Sequence, residues 1–372
     1  MMDFLSLNPE TFSLSVSDLS LRIIKLKRKG RFFDLACFGE TEMNPGIIEE
    51  GEIKNEEEFL RALKAAVCGV KGRRLKIKDL ALSLPDDKAF VTVIQMPKMD
   101  KKELESAVPF EVENHIPISV EDVYFDFQTI TPVVDSLDHL DLLVAALPRK
   151  IIDSYLSCFK KAGLTVWSIE TESLSVSRAL VKNLMSPFPV LIIDFSKSGA
   201  NFIIFSGYAM RSSFSGSFSF CQLDAAVSQS LGVDIKEARK IRLRNGITLK
   251  GGKTDSFSDK TGRKKASEAV LPFLADLIGQ IKKCLAYYRN YHSHEHLAEK
   301  SGTIHKILIC GEGANTKDLA DFLSASLKIP VELANPWINI LPSPLKEVPS
   351  LSFEESLKYA APLGLSARDN YD

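Results

Sequence analysis

Long hydrophobic runs are missing from this 372-residue sequence, and no apolar stretch is long enough to span a bilayer. The N-terminus, MMDFLSLNPETF, has no basic segment followed by an extended apolar one, so no secretory leader is expected and the chain is assigned to the cytoplasm. Charge of one sign is not in excess either. The 47 Lys and Arg balance 48 Asp and Glu to a formal net charge of −1, which leaves no overall footprint for nucleic acid or an anionic membrane. The six cysteines, Cys37, Cys68, Cys158, Cys221, Cys284 and Cys310, lack any CxxC or other metal spacing, and reduced buried thiols are expected. A P-loop and a G-x-S-x-G nucleophile elbow are both absent, which argues against those two classes of enzyme.

What is present is an alternation of strands and helices. In FSLSVSDLSLRIIKL, Phe12 to Leu26, the apolar residues Phe12, Leu14 and Val16 alternate with Ser13, Ser15 and Ser17, the pattern of a strand with one face on a core. A hairpin turn is expected at Ser17-Asp18, and a returning strand from Leu19. NEEEFLRALKAAVCGV reads as a helix capped by Asn55, and KDLALSLP as the next strand. Phe90 to Glu170 then gives the order β-α-β-β-α-β, with Pro109 expected to kink or split its first helix. The second half holds three strands over Pro187 to Phe220, helices from Gln222 and Asp234, and a loop over Thr248 to Ala266. A long helix from Leu271 to Tyr291 follows, then a strand, glycine turn and helix at KILICGEGANTKDLADFLSASL.

The halves share an opening: FSLSVSDLSLRIIKL and LIIDFSKSGANFIIF each read as strand, short turn, strand. Such a duplication, with a Gly-X-Gly turn between strand and helix late in the chain, predicts an α/β actin-like fold of two domains facing each other across a cleft. The inserted βαββαβ unit would sit within the first domain. Expected boundaries are 1–89 for the first domain, 90–170 for the insertion and 171–189 for a returning helix. The second domain would span 190–345, with a helical part at about 222–300, and 346–372 would return to the first domain.

Specific motifs then resemble the PilM family of type IV pilus assembly proteins, relatives of FtsA and of the cytoplasmic part of GspL. The family's F-G-L-D-I-G-x-S-S-V-K-A-V-E-L hairpin falls on Phe12 to Leu26. Its M-P and E-L-x-x-A-I-x-x-E-x-x-x-x-I-P pattern recurs as Met96-Pro97, Glu103-Leu104, Ala107-Val108, Glu111 and Ile116-Pro117, and its D-Y-Q as Asp126-Phe127-Gln128. Its A-A-P recurs as Ala145-Ala146-Leu147, its A-G-L as Ala162-Gly163-Leu164, and its glycine turn as Cys310-Gly311-Glu312-Gly313-Ala314.

The resemblance implies an ATP site, and the departures cluster there. The first-turn Asp is replaced by Ser15 and its glycines by Ser13 and Ser17, so neither the charge that complements Mg²⁺ nor bare backbone for phosphate is supplied. In the second turn, D-I-G-x-x-x-T in the family, Asp194 is kept, the glycine becomes Ser196, and a shifted glycine at 199 precedes Ala200-Asn201. The E-I-x-R-S-L of the nucleoside side is Gln280-Ile281-Lys282-Lys283-Cys284-Leu285, while Gly311 and Gly313 persist. The candidate nucleotide-binding residues are therefore Ser15, Ser17, Asp194, Asn201, Gln280, Lys283, Gly311 and Gly313, with any ATP and Mg²⁺ held weakly and no catalytic or resident metal residues. Plain structural roles compete: Asp194 as a turn residue, Lys283 as a solvated cation, the two glycines as turn formers. His292, His294 and His296 read as a solvated helix end, and Glu103, Glu105, Glu111 and Glu113 as a solvated helix face.

As for partners, the resemblance implies an adaptor that binds the extended cytoplasmic tail of a PilN-like inner-membrane protein, and through it sits at the inner face of the membrane. The groove walls are expected around Phe90 to Ile130 and Leu142 to Leu147. Contacts with pilus motor ATPases and self-association complete the expected set, with no nucleic acid. An active PilM/FtsA-type ATPase, an ATP-dependent filament former and a GspL-like component of type II secretion are the alternatives. Ile338-Asn339-Ile340-Leu341-Pro342 resembles the tail's own apolar-Asn-apolar-apolar-Pro motif, read as coincidence or, less readily, as a self-occluding or chain-to-chain contact.

Overall fold

The computed structural model describes residues 10–30, 32–132, 138–247, 260–291, 303–342 and 348–368. The first half contains β1 (Phe12–Ser17), β2 (Ser20–Lys29), β3 (Phe32–Glu42), the short ribbon β4 (Ile48–Glu49) and β5 (Glu52–Ile53), α1 (Glu56–Cys68), β6 (Lys71–Gly72) and β7 (Asp79–Leu84). Next come β8 (Phe90–Pro97), α2 (Lys101–His115), β9 (Val123–Thr129), β10 (His139–Pro148), α3 (Arg149–Lys161), β11 (Thr165–Thr171) and α4 (Glu172–Leu180). The second half holds β12 (Ser186–Phe195), β13 (Ala200–Gly207), β14 (Ala209–Gly216), α5 (Phe220–Leu231), α6 (Ile235–Asn245) and α7 (Lys260–Tyr291). It closes with β15 (Lys306–Gly311), α8 (Leu319–Leu327), β16 (Val331–Leu333), α9 (Phe353–Ser356) and α10 (Ala360–Ser366).

The duplication is visible in the sheets. The first domain's sheet runs β11-β7-β1-β2-β3-β6 and the second domain's β14-β13-β12-β15-β16, so each sets an antiparallel three-strand meander beside two parallel strands. Helices α1 and α3 cover the outer face of the first sheet through Phe59, Leu63, Tyr155 and Phe159. The outer core of the second domain is closed by Leu223 and Val227 of α5 with Leu274, Leu277 and Ile281 of α7. Between the two sheets lie α4 and α10. They pack so closely that a Cβ on Gly364 would lie 1.8 Å from the carbonyl oxygen of Ser175. No helix among the described residues is long and apolar enough to cross a membrane.

Several local expectations change. The serine face of β1 is buried as thoroughly as its apolar face, because Ser366 donates or accepts across to Ser13 at 2.7 Å and Ser15 donates to Glu172 at 3.3 Å. The hairpin turn is Asp18-Leu19, one residue later than expected, and neither residue has positive φ. The six elements from Phe90 onward occur in the expected order but divide between sheets. The three-stranded β8-β10-β9 sheet packs on α2, whereas β11 hydrogen-bonds to β7 and α3 packs in the first domain's core. Pro109 does not split α2, which Asp100 and Glu103 start with a capping box. The expected loop over Thr248 to Ala266 is helical from Lys260, and α7 continues through Pro272. Residues 248–259 and His292, His294 and His296 lie outside the described residues.

Candidate functional site

Three turns meet at one end of the paired sheets. They are Asp18-Leu19 after β1, Ser196 to Gly199 after β12, and the Gly311-Glu312-Gly313 turn after β15, with the N-terminus of α4 between them. The second turn is tight. Ser196 N donates to Gly199 O at 2.9 Å, and the hydroxyl of Ser196 accepts from Gly199 N at 3.0 Å. Gly311 has φ +87°, and a Cβ there would fall 2.1 Å from Phe195 O and 2.4 Å from Asp194 Oδ1. Only glycine lets β15 lie this close to β12.

The cleft carries a chain of charges that crosses the domains. Arg22 on β2 is buried and lies 3.1 Å from Glu40 of β3 and 3.3 Å from Glu312 in the glycine turn of the second domain. Glu312 also accepts from Arg239 of α6 at 3.0 Å, and Lys358 and Lys197 approach Glu40 from the other side. Burial opposes the charge on Arg22, yet Glu40, Glu312, Glu172 and Asp194 together outweigh it and raise its pKa above the ordinary value. Glu40 is held below its ordinary value, with burial opposed by Arg22, Lys358 and Lys197.

A second set of acids has no such counterweight. Glu172, the first residue of α4, is pushed up to about 8 by burial and by Asp194 and Asp86, against the smaller pull of Arg22 and the Ser15 hydroxyl. Asp86 rises to about 7 through burial, although Ser173 donates to it through both its backbone N–H (3.1 Å) and its hydroxyl (2.9 Å). Asp194 rises to about 6 through burial, opposed by the Cys310 thiol that donates to it at 3.3 Å and by Arg22.

These contacts locate each candidate residue. Ser17 and Asn201 line a small cavity of about 190 Å³ together with Asp18, Glu50, Asp86, Asp87 and Glu172, a lining that carries no Lys or Arg. Ser15 and Asp194 lie buried behind it, each bonded to a neighbouring side chain. Gln280 and Lys283 line an adjoining cavity of about 600 Å³ between α7 and the ends of β13 and β14, which shares Ser215 and Gly216 with the first and where Gln280 donates to Ser217 at 3.1 Å. Gly311 and Gly313 border neither cavity. The reason at Gly313 is the buried ring of Phe220, which would stand 2.6 Å from a Cβ there. Arg242 stacks on that ring at 4.8 Å and is fixed by Asp224 (2.6 and 3.1 Å) and Thr316 (2.7 Å).

Sequence reasoning missed Arg22, Glu40, Glu172, Asp86, Arg239 and Phe220. One signal was available: Arg22 interrupts the apolar run Leu21 to Ile24, and a charge inside a buried strand requires partners. Those partners lie up to 290 residues away, beyond the reach of spacing.

The model of the family described as type IV pilus assembly protein PilM matches residues 13–370. The chain belongs to the PilM family. Among solved structures it is similar to a chain of a PilM–PilN type IV pilus biogenesis complex, with 19% identity, a TM-score of 0.73 and coverage of 97% of this chain and 98% of that one. It is also similar to the ethanolamine utilization protein EutJ from Carboxydothermus hydrogenoformans, at 10% identity, 96% and 89% coverage and a TM-score of 0.53. MreB5 of Spiroplasma citri bound to AMPPNP matches at 11% identity, 97% coverage of each chain and a TM-score of 0.52. At these identities the structural likenesses establish the actin-like fold, and the PilM-family match establishes the family.

Proposed function

We propose that this chain is a PilM-type adaptor of the type IV pilus assembly platform, which binds the extended cytoplasmic tail of a PilN-like inner-membrane protein and stands at the inner face of the membrane through it. Membership of the PilM family carries the reading. The open edge of β9 supports it, because β9 is bonded to β10 on one side only and its other edge carries no strand among the described residues. Phe127 N turns away from β10 and donates to the Asp126 side chain at 2.9 Å, so the outward backbone of β9 is bonded only locally, by a side chain that an added strand would displace. Exposed Tyr124 and Phe110 supply apolar surface on the same module.

In this reading the nucleotide site is degenerate. The two adjoining cavities of the cleft present Lys283 as the single cation among their lining residues, a poor complement to a triphosphate, and Ser17 puts a side chain where bare backbone would approach it. Phe220 covers Gly313, and Glu312 brings a carboxylate to the glycine turn and already satisfies Arg22 and Arg239. The residues present do not fit Mg²⁺-ATP, and no chemical step is assigned to it.

Titration with a synthetic apolar-Asn-apolar-apolar-Pro tail peptide, read by hydrogen exchange, tests the adaptor role. Saturable binding with slowed exchange at Phe125 and Phe127 is expected. Absence of binding, or protection confined to the second domain, would overturn it.

A further inference from the structure

Charge is segregated in this chain although its totals cancel. Residues 25–31 (KLKRKGR) hold five Lys or Arg and residues 71–78 (KGRRLKIK) another five, with no Asp or Glu in either stretch. The fold gathers the described residues of both stretches at the end of the six-stranded sheet remote from the cleft. β1 meets β2 from Ser17↔Ser20 to Ser13↔Ile24, so the rest of β2 runs on past the start of β1 and pairs with β3 alone, at Lys27↔Asp34, Arg28↔Phe33 and Lys29↔Phe32. β6 joins β3 at Cys37 and Phe38, and Arg73 N donates to Ala36 O at 2.9 Å. The chain then crosses to β7, with Lys78 O accepting from Thr165 N at the start of β11.

Lys27, Arg28, Lys29 and Arg73 line a basin of about 470 Å³ whose single acidic side chain among the described residues is Asp34, 3.2 Å from Lys29. Arg74, Lys76 and Lys78 extend the exposed cationic surface beyond it. Among the described residues, Lys27, Arg28, Arg73, Arg74, Lys76 and Lys78 make no ion pair. Two apolar side chains stand out within this surface: Phe32 at the hairpin tip is 42% exposed and Val348 at the basin wall 84% exposed.

We propose that this cationic end of the first domain is a membrane-contact surface for anionic phospholipid headgroups, with Phe32 and Val348 entering the interface. Juxtamembrane Lys and Arg are each attracted to an anionic leaflet, and apolar side chains among them add burial at the headgroup boundary. A nucleic acid is the weaker fit, since one ring stands among the cations where a strand needs several in series, and Val348 has no face for stacking. The inference rests on the adaptor reading, because docking on a membrane-protein tail is what brings the surface within reach of the bilayer.

The test is co-sedimentation of the full chain with phosphatidylcholine vesicles, with and without phosphatidylglycerol. The quadruple variant Arg28→Gln, Lys29→Gln, Arg73→Gln, Arg74→Gln and the single Phe32→Ser are run beside it. Binding only to the anionic vesicles is expected. It should weaken as salt is added and fall roughly a hundredfold or more in the quadruple variant. Phe32→Ser should lose several-fold, and both variants should keep the wild-type urea midpoint and tail-peptide binding. Equal binding to neutral vesicles, salt-independent binding, or retention of a labelled oligonucleotide with no vesicle binding would overturn the proposal. The peptide titration is read separately, so failure of the adaptor reading shows as lost peptide binding whatever the vesicles do.

Discussion

At the residue scale, the cleft is organised by an arginine. Arg22 is the buried cation between two carboxylates, and its removal leaves Glu40 to Lys358 and Lys197 and Glu312 to Arg239 alone, a loss at the low end of that for breaking a buried pair. Arg22→Met is expected to lower the unfolding free energy by about 3 kcal/mol in urea melts. The double variant with Glu312→Gln should recover part of that loss, whereas independent sites would give additive losses. Glu172 gives a pH signature of opposite sense from a paired acid. Its carboxyl holds a proton in the folded chain up to about pH 8, against 4.5 for an ordinary glutamate, so the folded state binds more protons than the unfolded one. This contribution is complete below pH 4.5 and is lost as pH rises toward 8, and Asp86 (3.8 to about 7) acts in the same direction. Denaturation across that window should therefore show falling stability in the wild type and a flatter profile in Glu172→Gln. An identical slope in both would remove Glu172 from the explanation.

At the scale of elements, most of the fold was legible because periodicity and capping act locally. Asn55 at the start of α1 and the alternation in β7 and β8 needed no tertiary information. What was hidden depended on contacts distant in sequence. The burial of the serine face of β1 comes from α4 and α10, and the membership of β11 comes from its pairing with β7. The same holds for Ile338 to Pro342. Ile340 is buried against Ile24, Phe33 and Tyr359, its carbonyl accepts from Phe33 N at 3.1 Å, and Asn339 donates to the carbonyls of Arg178 (2.8 Å) and Val181 (2.7 Å) at the end of α4. The segment is an internal staple between second and first domains, which gives it a role within the chain without any contact between chains. Glycines separate the same way. Gly311→Ala combines φ +87° with a backbone clash and is expected to cost about 2 kcal/mol or more, whereas Gly279→Ala within α7 meets nothing within 4 Å and should stabilise by up to about 1 kcal/mol. Thermal melts of the two variants should shift in opposite directions.

At the scale of the molecule, the two domains are tied by side chains across the cleft. The Glu40–Arg22–Glu312–Arg239 chain spans the cleft, Phe220 with Arg242 fills the space over Gly313, and the staple closes the back of the first domain. A molecule held this way offers surfaces: an open strand edge on the inserted sheet and a cationic sheet end facing away from the cleft. The candidate nucleotide residues were named by motif alone; that Ser17 and Asn201 line one cavity, Gln280 and Lys283 its neighbour, and Gly311 and Gly313 neither was illegible, because it follows from elements distant in sequence. The most direct measurement is a calorimetric titration of Mg²⁺-ATP into the full chain. No saturable heat through the micromolar range is expected, and a stoichiometric isotherm with a low-micromolar dissociation constant would contradict the proposed degenerate site.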